Sequence, residues 1–544
     1  MSSANSENTP TRGATSVGFI SLPIELIVDI LILLEIKTLL KCRQVCRFLS
    51  DAIDEAVGLQ YKIELAASGM EDGPPNDAES IDSRLDKLRD HVNAWDEMTL
   101  SKQLLPGPIQ SRIYRLCGGV FGYVPIDRPS QVAFTQLPSK SRNIPQKQWT
   151  INLTGRTINA FTMDPSQDLL LIVAGRHRAN SVTRVDESCI EIHTLSLSTG
   201  QKHRLAGAEL LSQRDGSLHE RWALFEPRIC GKHVGVLLCS RRMEIEGETG
   251  PADEIVLWNW KTSDVIRHFL GYNIQNFVLV NEENILVPSN TSTIRLEFFS
   301  LAKPCPYPIS IQNAPFDCVF HLPEMQPSAT IDCFTVDISH PRTWTKHSTF
   351  HVPFFRNNDN GLVAISVMSD VDASVEHLVF FFSLSTLLRR ISTLEAPELM
   401  HEFSWDGWGH ETRIVHAPPS HTAFCSSVVC GTKFLAVSDD NTGTVEVQVF
   451  EFNMALHEYL HGPRTHKGEG SWIPKFDSWA ENQPILTFKD VSPSDMPPRK
   501  NVVYFQSESE SEVFYHEPLL TDDTIVLPHE VNYQHTLYIG TLHV

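Results

Sequence analysis

The hydrophobic period of this chain changes once, near residue 105, and that change restricts it to a helical unit followed by a β-rich one. Before it, apolar residues recur at helical spacing: Leu26, Ile27, Ile30, Leu31 and Leu34, then Leu39, Leu40, Val45, Phe48 and Leu49, then Ile81, Leu85, Leu88, Val92 and Trp95. After it, short runs rich in Val, Ile, Phe, Leu and Trp alternate with clusters of Gly, Asn, Asp and Pro, the pattern of strands and turns. With 544 residues there is material for two or more domains. The expected fold class is α+β and multidomain, with the helices first and an all-β domain after them.

The segment from Ile20 to Leu49 carries more apolar surface than so short a unit can hide. Pro23 suits the first turn of a helix, capped by Ser21 or Leu22. Val28, Ile32 and Leu33 fall outside the stripe that begins at Leu26, so the apolar surface wraps round this helix. A second helical stretch is expected from about Thr38 to Ile53. Units of about 40 residues seldom build a self-sufficient core. The surplus therefore needs a partner surface, on another protein or on the rest of the chain. A bilayer does not fit, because Glu25, Asp29 and Glu35 interrupt the run. A secretory signal does not fit either, since Met1 to Ser16 is polar with Arg12 as its one base.

The order Leu22-Pro23-x-Glu25-Leu26, Ile30-Leu31, Leu34, Leu39-Leu40 and Cys42-Arg43-x-Val45-Cys46-Arg47 resembles an F-box, without insertion or deletion. The resemblance covers about a tenth of the chain but matches many positions in one register. It implies a three-helix module that docks on the Skp-type adaptor of a cullin–RING ubiquitin ligase. By that likeness Leu22, Pro23, Glu25, Leu26, Ile30, Leu31 and Leu34 lie at or beside the adaptor interface. Leu39, Leu40, Cys42, Val45 and Cys46 are then shared between the module's core and the docking face. Many F-boxes start their second helix with Asp-Pro, whereas Glu35-Ile36 stands here.

The expected organisation is a lead-in over 1–18, the F-box module over 19–65, a loop and linker helix over 66–105, and a β-propeller-like client-recognition domain over 106–544. Within the last, one pattern recurs: a strand, a tight polar turn, a second strand. Copies begin at Cys189, Ile255, Ile294, Leu378 and Val445, several preceded by another strand, as at Leu169, Val234 and Phe434. These pairs resemble degenerate propeller blades, with Trp258-Asn259 where a WD repeat carries Trp-Asp. A propeller needs closure, expected by pairing of the last strand, 536–543, with a blade that also holds strands near 112–124. A sandwich or irregular barrel is the competing architecture.

A net charge of −21 argues against binding duplex nucleic acid or an anionic membrane. Eleven scattered cysteines without CxxC or zinc spacing read as free thiols. No GxSxG, GxxxxGK or GxGxxG motif occurs, so no cofactor is expected and the chain is read as non-catalytic. His401 to His410 concentrates two His, two carboxylates and two Trp, which reads better as a loop packing aromatics than as a metal site. Its Trp-Asp-x-Trp-Gly stretch is similar to one in F-box-like proteins of mushroom-forming fungi. Arg176-His177-Arg178, Arg241-Arg242 and Arg389-Arg390 offer phosphate-binding chemistry but read first as solvated charges. Ser507 to Glu512 has the look of an acidic kinase-substrate run.

The sequence thus points to a substrate-recognition subunit of an SCF-type ligase, cytoplasmic or nuclear. Its partners would be a Skp-type adaptor and a client that the sequence does not identify. The alternatives are a propeller scaffold without a ligase, and a propeller hydrolase with an unrecognised site.

Overall fold

The structure is a computed structural model. It describes residues 19–98, 100–104, 111, 113–177, 188–214, 222–240, 253–290, 293–339, 352–357, 361–372, 374–394, 400–417, 429–439, 444–452, 485–489, 491, 499–506, 514–515, 518–531 and 534–542, apart from 77–78.

Four short helices open the described chain: α1 (Ile24–Ile32), α2 (Ile36–Val45), α3 (Arg47–Glu55) and α4 (Val57–Ala67). The single stretch expected over 38–53 is two helices. Cys46 is extended (φ −159°, ψ 161°), so it ends α2 and starts α3. The first three helices form the expected three-helix module, and α4 completes their core. That core consists of Ile27, Leu31, Leu39, Leu40, Leu49, Ile53, Leu59, Ile63 and Ala67. After a loop, α5 (Ile81–Asp96) begins at Ser80, whose side chain accepts from the Ser83 amide as an N-cap.

Beyond α5 the described residues form seven sheets of four or five strands. Blade 1 runs from Tyr114–Cys117 to Lys147–Asn152, blade 2 from Thr157–Asp164 to Leu210–Arg214, and blade 3 from Trp222–Cys230 to Asp264–Gly271. Blade 4 runs from Val278–Leu279 to Cys318–His321, blade 5 from Ala329–Ile338 to Arg413–His416, and blade 6 from Val429–Cys430 to Arg499–Gln506. Blades 3 and 4 each add a parallel fifth strand, Cys305–Ser310 and His401–Phe403. Blade 7 contains Leu519–Leu520, Thr524–Val531 and Gln534–Leu542.

The sheets are joined face to face by apolar cores, each shared by two successive blades. Phe134 and Phe161 link blades 1 and 2, Val173 and Trp258 link 2 and 3, Phe269 and Phe299 link 3 and 4, and Phe320 and Phe380 link 4 and 5. Phe381 and Phe434 link 5 and 6, Leu435 and Ile525 link 6 and 7, and Leu519 with Leu116 returns from blade 7 to blade 1. A chain of sheets whose last core includes the first sheet is a closed ring, so the domain is a β-propeller. Trp258-Asn259 ends the third strand of blade 3, and the Asn259 side chain accepts from the Lys261 amide in the turn that follows.

Closure differs from the expectation in its strand. Gln534–Leu542 pairs antiparallel with Leu100–Leu104, not with the strands near 112–124, which open blade 1 instead. The ring is sealed by the segment directly after α5. A strand of five residues without clear alternation gives little local signal, and its pairing is decided by a partner more than 400 residues away.

Candidate docking face and its anchor

Helix α1 has two apolar faces, and the fold uses them differently. Ile27, Leu31 and Leu34 are spaced i, i+4, i+7 and turn toward the module's core, where Leu31 is 1% exposed. Leu26, Ile30 and Leu33 repeat the same spacing one residue earlier and form a parallel stripe left open, with Leu26 at 49% and Leu33 at 83% exposure. Val45 at the end of α2, 72% exposed, and Phe48 at the start of α3 are also open, as are Phe19, Ile20 and Ile24. These side chains keep that exposure, 39% or more, with the β domain in place. The C-terminal end of α1 is held by Lys62 of α4, whose Nζ donates to the Ile32 and Leu34 carbonyls at 2.6 and 2.5 Å. Arg43 and Asp54 tie α2 to α3 at 2.9 Å.

The residues named from sequence therefore divide. Pro23, Glu25, Leu26, Ile30 and Val45 are exposed, and Leu22, Leu34, Cys42 and Cys46 are half-buried. Leu31, Leu39 and Leu40 are interior. Leu33 and Phe48 are not among the adaptor contacts expected from sequence, yet they are open. From sequence Leu33 falls outside the stripe that begins at Leu26; the structure puts it in line with Leu26 and Ile30, at the spacing i, i+4, i+7.

The opposite side of the module is fastened to the ring. Met70–Asp72 pairs antiparallel with Phe354–Arg356, which comes from the connection between the first two strands of blade 5. Phe354 is packed among Tyr61, Leu65, Leu85 and Leu88, the facing residues of α4 and α5. Tyr61 donates its hydroxyl to the Pro353 carbonyl at 2.9 Å and to Asp72 at 3.0 Å. Burial, with the Asp72 charge beside it, pushes the Tyr61 phenol well above its usual range. Buried Arg84 of α5 donates to Asp72 at 2.7 Å and to the Pro74 carbonyl at 2.8 Å.

A second anchor lies where α5 crosses blades 6 and 7. Trp95 donates its indole N–H to the Asp522 carbonyl at 2.7 Å, and His91 Nδ1 lies 3.3 Å from Asp523. Arg142 from blade 1 donates Nε to Asp523 at 2.7 Å and Nη1 to Asp522 at 3.2 Å. Arg356 pairs with Asp522 at 3.0 Å, and the Cys430 thiol reaches the same carboxylate at 3.5 Å. All of these side chains are buried or nearly so. Burial alone would raise the two carboxyls. Arg356 and Arg142 beside Asp522, and Arg142 and His91 beside Asp523, reverse that and hold both below the usual aspartate range. Burial pushes the Cys430 thiol up to about 12.

The turns at 430–433 and 521–524 each join the first two strands of a blade, so these contacts occupy one face of the ring. The other face carries the turns between second and third strands and the links between blades. There Ile126, Tyr272, Val375 and Leu486 are exposed. Segment 485–489 bridges to Met325 and packs Phe488 against Phe380.

The other sequence candidates resolve into packing. Trp405–Trp408 is a short helix whose Trp408 is wholly buried against Phe320, Phe382 and Trp405, with its indole donating to the His321 carbonyl at 2.9 Å. His401 is in a strand paired with Cys318, while His410 is solvent-facing. Arg389 and Arg390 are paired with Glu411 at 2.7 and 3.3 Å. Arg178, Arg241-Arg242 and the 507–512 run lie outside the described residues. Among the described residues, nine cysteines are free thiols, no cluster of three His, Cys, Asp or Glu is placed to hold a metal, and no helix is long and apolar enough to cross a membrane.

Comparison with known proteins adds one family. No curated protein matches the sequence. Among solved structures, the WD40 domain of SCAP from fission yeast is similar at 9% identity, over 82% of this chain and 99% of that one, with a TM-score of 0.38. Hsv2p of Kluyveromyces lactis is similar at 10% identity, over 51% of this chain and 97% of that one, with a TM-score of 0.17. The propeller is established by the sheet order and not by these likenesses. Residues 19–58 match the F-box-like family model, so the chain carries an F-box-like module in front of a β-propeller.

Proposed function

We propose that this chain is the substrate-recognition subunit of an SCF-type cullin–RING ubiquitin ligase, acting in the cytoplasm or nucleus. The observation that carries the reading is the uncovered stripe of Leu26, Ile30 and Leu33, with Val45 and Phe48, inside a segment that matches the F-box-like model. Exposed apolar side chains at one spacing on a short module are the signature of a helix-packing partner. A Skp-type adaptor is that partner in this reading. Leu22, Pro23, Glu25, Leu34, Cys42 and Cys46 border the contact, and Leu31, Leu39 and Leu40 support it from beneath.

Clients are taken on the propeller face opposite the α5 anchor, because the anchor already occupies the first. No bond is made or broken by the chain itself. It raises the effective concentration of a client lysine near the charged conjugating enzyme. Co-purification of the full chain with a Skp-type adaptor tests this. Leu26→Asp with Leu33→Asp removes the adaptor while the protein stays folded. A folded wild-type chain that fails to bind adaptor at micromolar concentration overturns the reading in favour of a free-standing scaffold.

A further inference from the structure

We infer that docking of the helical module and closure of the propeller are one event, keyed by the buried Asp522-Asp523 turn. Two features carry this. The strand that closes the ring, Leu100–Leu104, follows the end of α5 after only three residues, so the position of α5 sets where that strand begins. The turn between the first two strands of the same blade, 521–524, is itself held by α5 through His91 and Trp95. Blade 7 is thus gripped at its outer edge and at its inner turn by one helix and the residues that continue it.

The same two aspartates gather the neighbours on either side. Arg142 brings in blade 1, Cys430 blade 6, and Arg356 the blade 5 connection that also pairs with Met70–Asp72. The two carboxylates face Arg142, Arg356, His91 and the Cys430 thiol, with Lys433 nearby over the Trp95 ring at 5.5 Å. Two negative charges in a buried turn are tolerable only while both guanidiniums are in place. Removing α5 withdraws His91 and Trp95 from the turn and the closing strand from the edge together. The helical module and the ring therefore form one cooperative unit, and the docking stripe on α1 is held at a fixed orientation to the client face. This does not depend on the identity of the docking partner.

Native-state hydrogen exchange on the full chain tests it, comparing wild type with Asp523→Asn. Exchange in α5 and in Gln534–Leu542 rises together and by a common factor, on the order of tenfold, while the outer strands of blades 3 and 4 are unchanged. A rise confined to 521–524, or one in α5 without the closing strands, overturns the inference. Trp95→Phe keeps the ring packing and deletes one hydrogen bond, so it moves the same two regions by a smaller common factor. It decides the matter should Asp523→Asn not fold.

Discussion

Leu33 gives the sharpest test of how α1 divides its apolar faces. It is 83% exposed, so truncation to alanine costs the free protein little, within about 0.5 kcal/mol. If a partner covers it, full burial of a leucine contributes about 1.5–3 kcal/mol, most of which alanine forfeits. Leu33→Ala should therefore weaken adaptor binding by about 1–2 kcal/mol, roughly 5- to 30-fold in Kd. Leu26 is 49% exposed and has about half as much to lose, on the order of 0.5–1 kcal/mol. The two residues lie about 10 Å apart along the helix, so their effects should add, to roughly 10- to 150-fold for the double variant. Leu31, at 1% exposure, is the control of opposite sign. Leu31→Ala should destabilise the module by about 2–5 kcal/mol through lost burial and a cavity, whatever it does to binding. Isothermal titration with adaptor and denaturant unfolding read the two effects separately. Binding of the double variant within twofold of wild type, with a stable Leu31→Ala that no longer binds, would refute the assignment of faces.

Three further outcomes are expected. In Gly73→Ala the added Cβ would lie 1.9 Å from the Val352 carbonyl oxygen and 2.8 Å from the Pro353 backbone, so Met70–Asp72 and Phe354–Arg356 must separate; deuterium uptake should rise in both segments. Trp408→Ala should cost about 3–5 kcal/mol in urea unfolding, since it empties the core between blades 4 and 5. Acid should destabilise the protein in a defined window. Burial would raise Glu191, Glu376, Asp522 and Asp523, but Arg156, His416 with Thr487, Arg356 and Arg142 reverse this and hold them below their ordinary values of 4.5 and 3.8. Their stabilisation is complete above those values and is lost as pH falls through the depressed native ones. Unfolding midpoints should thus be insensitive to these four carboxyls above pH 4.5 and fall below it, with Asp523→Asn flattening the part below pH 3.8.

What could be read from the chain was what short stretches decide for themselves. The helical period up to Trp95, the F-box register from Leu22 to Arg47 and the strands beginning near Leu169, Val234, Ile255 and Phe434 depend on neighbours within a few residues. They lie close to where the spacing placed them, apart from the break at Cys46 that divides the stretch expected over 38–53. The aromatic segment at 401–410 was legible as packing but not in its form: the sequence reads as a loop, and the structure has a strand followed by a short helix that buries Trp408. Tertiary structure decided the rest. An α1 that is apolar all round does not disclose which stripe meets its own core, so Leu31 and Leu33 look alike until α4 is in place. The closing strand at Leu100–Leu104 and the Asp522-Asp523 turn draw their meaning from partners hundreds of residues away, and acidic residues in a turn ordinarily face solvent. Periodicity encodes which side of an element is greasy, while the choice of what covers that side is made by chain segments that meet only in the folded ring.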